Sequence, residues 1–490
     1  MAQPKTDPDI KTPADHLSHL ELTTDKPQQP GEELPEILRQ LTPPELAAME
    51  KTIVRRIDFR TLPILVVLFI MNILDRNTIA NARLGGLEAE LGMSDTQYQT
   101  ALMVLWAGYI SMMIPSNMML SLLRPNLYLP TVVIVWGLVS GATGFVQNYS
   151  GLVALRFLCG VTEAPYFVGA IFFLSAWYTK TELPFRIAIF YLGYTLASAF
   201  GGLIAAGILD GMDGLGGYQS WRWMFIVEGA ITVVLGFFAY PLLPNYPSNT
   251  KWLNEAERAL AQYRLSRECD GDKDEVEESV FIGLKQAAAD PKTWLLVLIL
   301  TCAVISMSFT YFFPSIVQTL GYPRVQTLLL TSPPYFLACI FSLLNSWHSG
   351  KTQERSYHIV TGAAISVVGQ ILSTTTHNLG ARYFAMFLQA MGSFSIFQLI
   401  LAWISSTIPR PKAKRGVAVA ICTAVANATN ISSAYLYPSA DAPLYRKGCI
   451  VLTVALVTCA SASLALRFWL KKENEKLDRE EGDVGFRYIL

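Results

Sequence analysis

The chain has 490 residues, of which 52% are hydrophobic and only 16% charged, and its formal net charge is zero. Soluble domains carry about a quarter charged residues, so this composition and a positive mean hydropathy exclude an ordinary soluble protein, and nucleic acid is not an expected partner. Runs near 20 residues with almost no charge recur along the sequence, and about 20 such residues are needed for a helix to cross the ~30 Å hydrocarbon core of a bilayer.

Taken in chain order, residues 1–45 are rich in Pro, Asp, Glu, Lys and Gln and predict a disordered tail on the cytoplasmic side. No signal peptide is expected. Residues 44–60 fit either an amphipathic helix at the membrane interface or a solvated connecting helix. Spans are predicted at 61–82, 97–122, 127–147, 151–177, 186–209 and 223–243, which make residues 46–243 an N-terminal six-helix bundle. A polar linker, 244–291, holds a helical pattern over 254–267 followed by an acidic run. Six further spans, at 292–314, 325–346, 357–375, 381–407, 415–437 and 447–469, form a second bundle over 292–470, and 471–490 is a cytoplasmic tail. Two similar halves of this kind are how many transporters are built. The predicted fold class is therefore an all-α polytopic membrane protein with twelve transmembrane helices in two six-helix bundles.

Lys and Arg near the span ends set orientation. They concentrate on one side, at Lys51, Arg55, Arg56, Arg60, Lys180, Lys351, Arg355, Arg410, Lys412, Lys414 and Arg415. Both termini are therefore expected in the cytoplasm. The seven cysteines have no evident extracellular partner, so no disulfide is expected. The five histidines lie in the tail or at span ends, without metal-ligand spacing, and no metal or cofactor is predicted. Asn148-Tyr149-Ser150 matches a glycosylation sequon but hugs the membrane and reads as a chance match.

Four ionisable residues fall deep in predicted spans: Asp75 and Arg76 in the first, Arg156 and Glu163 in the fourth. Each costs on the order of 2.5–3.5 kcal/mol to insert, which makes them functional candidates by default. At 1.5 Å rise per residue, Asp75 and Arg156 reach similar depth, so a cross-helix pair between them is expected to be within reach. Arg156 and Glu163 are seven apart and share a helix face. A column of cationic and carboxylate groups facing one cavity would result. In the second half, Gln398, Asn427 and Asn430 are candidate substrate contacts, although such amides also serve as helix glue; Tyr311 and Trp403 are the aromatics.

LDRNTIANA, RFLCGVTEAPYFVGAIFFLSAWYTKTELPFRIAIFY, WRWMFIVEG and LPNYPSNTKWLNEAERALAQYRL, with PRPKAKRGVAVAICTAVANATNISSAYLYPSADAPLYRKG nearer the C-terminus, resemble the major facilitator superfamily. The branch they resemble is the anion:cation symporters, in the fungal allantoate and nicotinate permease group. The resemblance covers about residues 45–470. It implies alternating access to a central site, with Asp75 and Glu163 as proton-coupling sites and Arg76 meeting a substrate carboxylate beside Arg156. Tyr109 resembles a second-helix tyrosine of the same site. The chain departs from the family in SLLRPNLYLP, which keeps only Arg124 of a basic cluster, and in HSGKTQERSYH, where Gly350 replaces an aspartate. A serine, Ser405 or Ser406, also stands where the family commonly has asparagine after Trp403.

The function expected is a non-enzymatic, proton-coupled importer of a small organic anion, monomeric, in the plasma membrane. The alternative is a proton-antiport exporter of a metabolite or drug, against which the fifth span, YLGYTLASAFGGLIAAGILDG, lacks the Gly-Pro pair of drug antiporters. A nutrient sensor is the third alternative, and the short tail after Leu470 leaves little room for a signalling domain.

Overall fold

The computed structural model describes residues 34–179, 182–250, 252–270, 280–408, 411–481 and 487–490. Twelve long helices dominate it: α1 (Pro43–Leu84), α2 (Asp95–Leu122), α3 (Pro125–Ala142), α4 (Tyr149–Ser175), α5 (Leu183–Gly211), α6 (Ser220–Leu242), α7 (Pro291–Met307), α8 (Arg324–Thr352), α9 (Ser356–Thr375), α10 (Leu379–Thr407), α11 (Lys412–Ser433) and α12 (Arg446–Glu481). Each overlaps one expected span, α1 and α12 running well beyond theirs. A chain in hydrocarbon has to satisfy every backbone polar group internally, and a helix does so within one segment.

Local chemistry fixes where several helices start. Thr42 and Glu45 form a capping box ahead of α1, the Thr42 N–H reaching Glu45 Oε2 at 2.8 Å. Ser94 and Gln97 repeat the device at α2. Asn148, the sequon asparagine, caps α4 by accepting the Gly151 N–H at 2.8 Å.

Two expectations need correction. Residues 44–60 are neither an interfacial helix nor a separate connecting one, because they continue without a break into the first span as α1. Ile53 and Ile57 are buried, and the polar side is tied down by ion pairs, so the segment has partners on both faces. The seventh span, expected as one helix to residue 314, breaks after Met307 into a 3-10 turn, Ser308–Tyr311, and a short helix, Phe313–Gln318. Pro314 explains the break, since its ring removes an N–H and clashes with the carbonyl four residues earlier. The tail predicted over 1–45 lies outside the described residues as far as residue 33; beyond it, Leu38 is buried in a one-turn helix, Glu36–Leu38.

The halves repeat one packing plan. In the first, α1 packs on α5 and α6, α2 on α4, and α3 on α4 and α6; in the second, α7 packs on α11 and α12, α8 on α10, and α9 on α10 and α12. The bundles meet through α5 with α8 and α2 with α11. The linker helix Glu255–Asp270 lies against the first bundle, on the face where the first and last described residues lie (the terminal face). There Arg264 bonds Glu50 and Glu182 at 2.6 Å each, and Arg56 pairs with Glu257 at 3.0 Å. Asp58 binds Arg186 at 2.8 Å. In the second bundle Arg467 pairs with Glu354 at 3.3 Å, near Gly350. Cysteines 159, 302, 339, 422, 449 and 459 are buried and free.

Small residues let backbones approach where helices cross. A Cβ on Gly160 of α4 would lie 2.0 Å from the Leu105 carbonyl oxygen of α2, and one on Gly202 of α5 would lie 2.1 Å from Thr331 Oγ1 of α8. Overpacking a tight site costs typically about 1–3 kcal/mol. Gly160→Leu is therefore expected to lower the melting temperature and folded yield of the detergent-purified protein. Gly207→Ala, where a Cβ meets nothing within 4 Å, should leave both unchanged.

Candidate functional site

Successive residues on a helix point about 100° apart, and this separates the adjacent charges Asp75 and Arg76. Arg76 faces α4 and α2. Its Nε and Nη2 donate to Glu163 Oε2 at 3.1 and 3.0 Å, and Nη2 also reaches Asn72 Oδ1 at 3.3 Å. The guanidinium carbon sits 4.9 Å from the ring centroids of Trp106 and of Tyr109, within cation–π range.

Arg156 enters from α4 and is 2% exposed. Its Nη2 donates to the Arg76 carbonyl oxygen at 3.4 Å, while its Nε has no hydrogen-bond partner. No carboxylate among the described residues forms an ion pair with it. A buried guanidinium held by one long bond to a neutral carbonyl is electrostatically under-compensated, and its donors suit a carboxylate.

Both arginines line a small central cavity of about 10 Å³, closed between the bundles by Trp106, Tyr311, Asn430 and Ala434. That volume holds about one water. The break in α7 brings Tyr311 there, where its hydroxyl donates to Asn430 Oδ1 at 3.3 Å. The first bundle thus contributes the charge and the second a neutral polar and aromatic wall.

The structure brings Arg76, Glu163, Arg156, Tyr109 and Asn430 together around this centre. Asp75 turns elsewhere, which corrects the single column of charges expected from the sequence. It faces α3 and α6, accepting from Trp136 Nε1 at 2.5 Å and Thr232 Oγ1 at 3.2 Å, and makes no pair with Arg156. Gln398 and Asn427 are half-buried and do not line the cavity; Asn427 accepts the Asn430 side-chain N–H through its backbone oxygen at 3.2 Å. Trp403 lies near the terminal face, where its indole donates to the Ile489 carbonyl at 3.0 Å.

Sequence reasoning missed Trp106, Trp136 and a fifth deep charge, Glu228. With α6 starting at Ser220, Glu228 lies roughly 12 Å along the helix. A span drawn from 223 leaves it nearer a helix end, with about 8 Å of helix before it.

Away from the terminal face, a polar cluster joins the bundles. Arg83 at the end of α1 pairs with Asp95 at 2.7 Å and Glu88 at 3.0 Å. Asp95 also accepts the Ser439 N–H at 2.9 Å and hydroxyl at 2.8 Å from beyond α11, and Tyr435 meets Thr100 at 3.2 Å. Asp95 sits in the turn of α2 ahead of the apolar stretch. Burial pushes its carboxyl up, but the bonds from Ser439 and Arg83 outweigh that and hold it below the usual carboxylate range.

These features define a twelve-helix membrane transporter of two related bundles with a charged site between them. The chain belongs to the Major Facilitator Superfamily, whose family model matches residues 65–434. It is 34% identical over 443 residues to the MFS-type transporter cnsO of Penicillium expansum, covering 88% of this chain and 85% of that one. It is 30% identical over 447 residues to the major facilitator-type transporter hxnP of Emericella nidulans, covering 88% of each chain. Among solved structures, the fold resembles a bacterial homologue of the human lysosomal transporter Spinster, in its inward-facing and occupied conformation, with a TM-score of 0.64 at 16% identity over 84% of this chain and 97% of that one. It also resembles a D-xylose-proton symporter, with a TM-score of 0.61 at 14% identity over 82% and 97% of the two chains.

The lowered Asp95 carboxyl ties the cross-bundle cluster to pH. Its bonds to Ser439 contribute fully above the ordinary carboxylate range and are lost as pH falls through the depressed value. Asp95→Ala is expected to increase thiol-reagent labelling of a cysteine placed at Thr100 at neutral pH, where the parent resists. In the parent, the same increase should appear only on acidification.

Proposed function

We propose that this transporter is a proton-coupled symporter that imports a small organic carboxylate by alternating access, in the manner of the anion:cation symporters. The observation that carries this reading is Arg156, buried in the cavity wall with an unbonded Nε and no carboxylate partner. An anionic substrate supplies the missing acceptor. Arg76 is the second contact, and its bond to Glu163 offers an exchange: protonating Glu163 frees the guanidinium for the substrate. Trp106, Tyr109 and Tyr311 shape the pocket around the bound carboxylate, with Asn430 at its second-bundle wall. Asp75 is a further proton site. The basic bias of the terminal face supports cytoplasmic termini; a plasma-membrane location goes with the import reading, and the cavity is lined by one chain, as a monomeric transporter requires.

The test is uptake of a panel of radiolabelled organic acids, nicotinate and allantoate among them, by cells expressing the chain at about pH 5 and about pH 7.5. Accumulation of an acid at low pH, abolished by a protonophore and indifferent to sodium replacement, is the expected result. Accumulation that needs sodium at constant pH overturns proton coupling, and acid-stimulated efflux of the same compounds would mark an exporter.

A hydrogen bond to a charged group contributes about 1.5–3 kcal/mol. Arg156→Ala should therefore raise the half-saturating acid concentration by about tenfold to a hundredfold at matched surface expression. Arg156→Lys should recover little of it, since an ammonium lacks the planar fork of the guanidinium. Asp75→Asn should abolish uphill uptake while exchange of labelled for unlabelled acid persists.

A further inference from the structure

Behind the cavity, on another face of α1 from Arg76, two more carboxyl groups are buried together. Asp75 of α1 accepts from Thr232 of α6, and Glu228 of α6 contacts Thr78 of α1. Thr78 follows Asp75 by three residues and Thr232 follows Glu228 by four, so each carboxyl and its own helix's threonine lie on one face. The two helices thus exchange carboxyl–hydroxyl contacts reciprocally. Asp75 and Glu228 are 1% and 2% exposed.

Their partners are neutral. Asp75 Oδ2 accepts from the Trp136 indole and the Thr232 hydroxyl, and the Ser140 hydroxyl lies beside the carboxyl. Neither carboxyl forms an ion pair with any described residue. The nearby ionisable groups on α1 and α4 are Arg76 and Glu163, bonded to each other, and the buried Cys159 thiol, while α3 presents the neutral indole of Trp136 and hydroxyl of Ser140. Two adjacent anions without a cation are not sustained in such surroundings, since each costs several kcal/mol after relaxation. Hydrogen counting points the same way. The Thr78 hydroxyl has one proton, and its oxygen lies 2.8 Å from the Leu74 carbonyl, which can only accept. That one proton faces two acceptors, the Leu74 carbonyl and Glu228 Oε2, and whenever it goes to Leu74 a proton on Glu228 completes the other contact.

We propose that Glu228 and Asp75 form one proton-binding unit between α1 and α6, separate from the Arg76–Glu163 pair, in which Glu228 holds an exchangeable proton. The unit deepens the proton-coupled reading of transport and rests on it only for its place in the cycle. Asp75 and Arg76 are consecutive on α1, so a change of charge in the unit is transmitted one residue away to the group that faces the cavity. Glu228 then joins Asp75 and Glu163 as a carrier of coupling protons.

The proton can be read without a substrate. Infrared spectra of the full chain in lipid vesicles, between about pH 5 and about pH 9, are expected to show a protonated-carboxyl carbonyl band that shifts in deuterated buffer and fades as pH rises. Glu228→Gln should remove that band. Asp75→Asn should move its titration, and Thr78→Val should shift its frequency, while each variant keeps its melting profile. Two outcomes overturn the proposal: no band that depends on Glu228 at any pH, or a Glu228 band that neither exchanges nor titrates. Should Glu228→Gln not fold, the shifts produced by Asp75→Asn and Thr78→Val decide, and their absence overturns the unit. A titrating Glu228 band in a protein whose uptake ignores the proton gradient would sink the symport reading and leave the proton site standing.

Discussion

Everything around the centre of this transporter follows from the cost of holding guanidinium groups out of water. Arg76 is compensated by one oxygen of Glu163, by the Asn72 amide, and by the faces of Trp106 and Tyr109. Those partners lie on α1, α2 and α4, so the three helices have to pass close to one another. The Gly160 contact with the Leu105 carbonyl oxygen is where that closeness is achieved: a side chain there would push α2 from α4 and draw Trp106 and Tyr109 away from the charge. Packing and electrostatics at this site are one constraint.

The two halves share a packing plan but not a chemistry. Deep charge is concentrated in the first bundle, on α1, α4 and α6, while the second faces it with Tyr311, Asn430 and Ala434. The asymmetry divides the labour. The first bundle holds the ionisable groups at the centre, and the second meets them with neutral side chains, so no ion pair at the cavity ties one bundle to the other. The Pro314 break in α7 is the second bundle's contribution to precision, since a straight helix would carry Tyr311 along a regular spiral and not into a turn beside Asn430.

The twelve helices were legible in the sequence because hydrocarbon demands about 20 apolar residues per crossing, and few other patterns mimic that. Arg76, Glu163 and Arg156 were legible as intramembrane charges for the same reason. What escaped depends on rotation about a helix axis and on ends. Depth alone brings Asp75 within reach of Arg156, yet depth says nothing of azimuth, and the helix turns it to Trp136 and Thr232. Glu228 was hidden by an α6 start drawn three residues late. The cluster of Arg83, Asp95 and Ser439 joins positions more than three hundred residues apart, and no local pattern announces it. Continuation of α1 through residues 44–60 was obscured by its polar face, whose partners, Glu257 and Arg264, belong to a distant segment.

The bundles approach closely at Gly202, where a Cβ would lie 2.1 Å from Thr331 Oγ1 and 2.6 Å from the Leu328 carbonyl oxygen. Interlocked side chains at such a place would act as gear teeth, and turning one bundle on the other would mean lifting each tooth from its socket. Bare backbone against a short hydroxyl behaves more like a smooth bearing. Small rotations there would slide a dipolar surface over a polar neighbour with little loss of dispersion contact. A bulky residue at Gly202 would install a ratchet in the axle, slowing turnover even where folding and affinity survive.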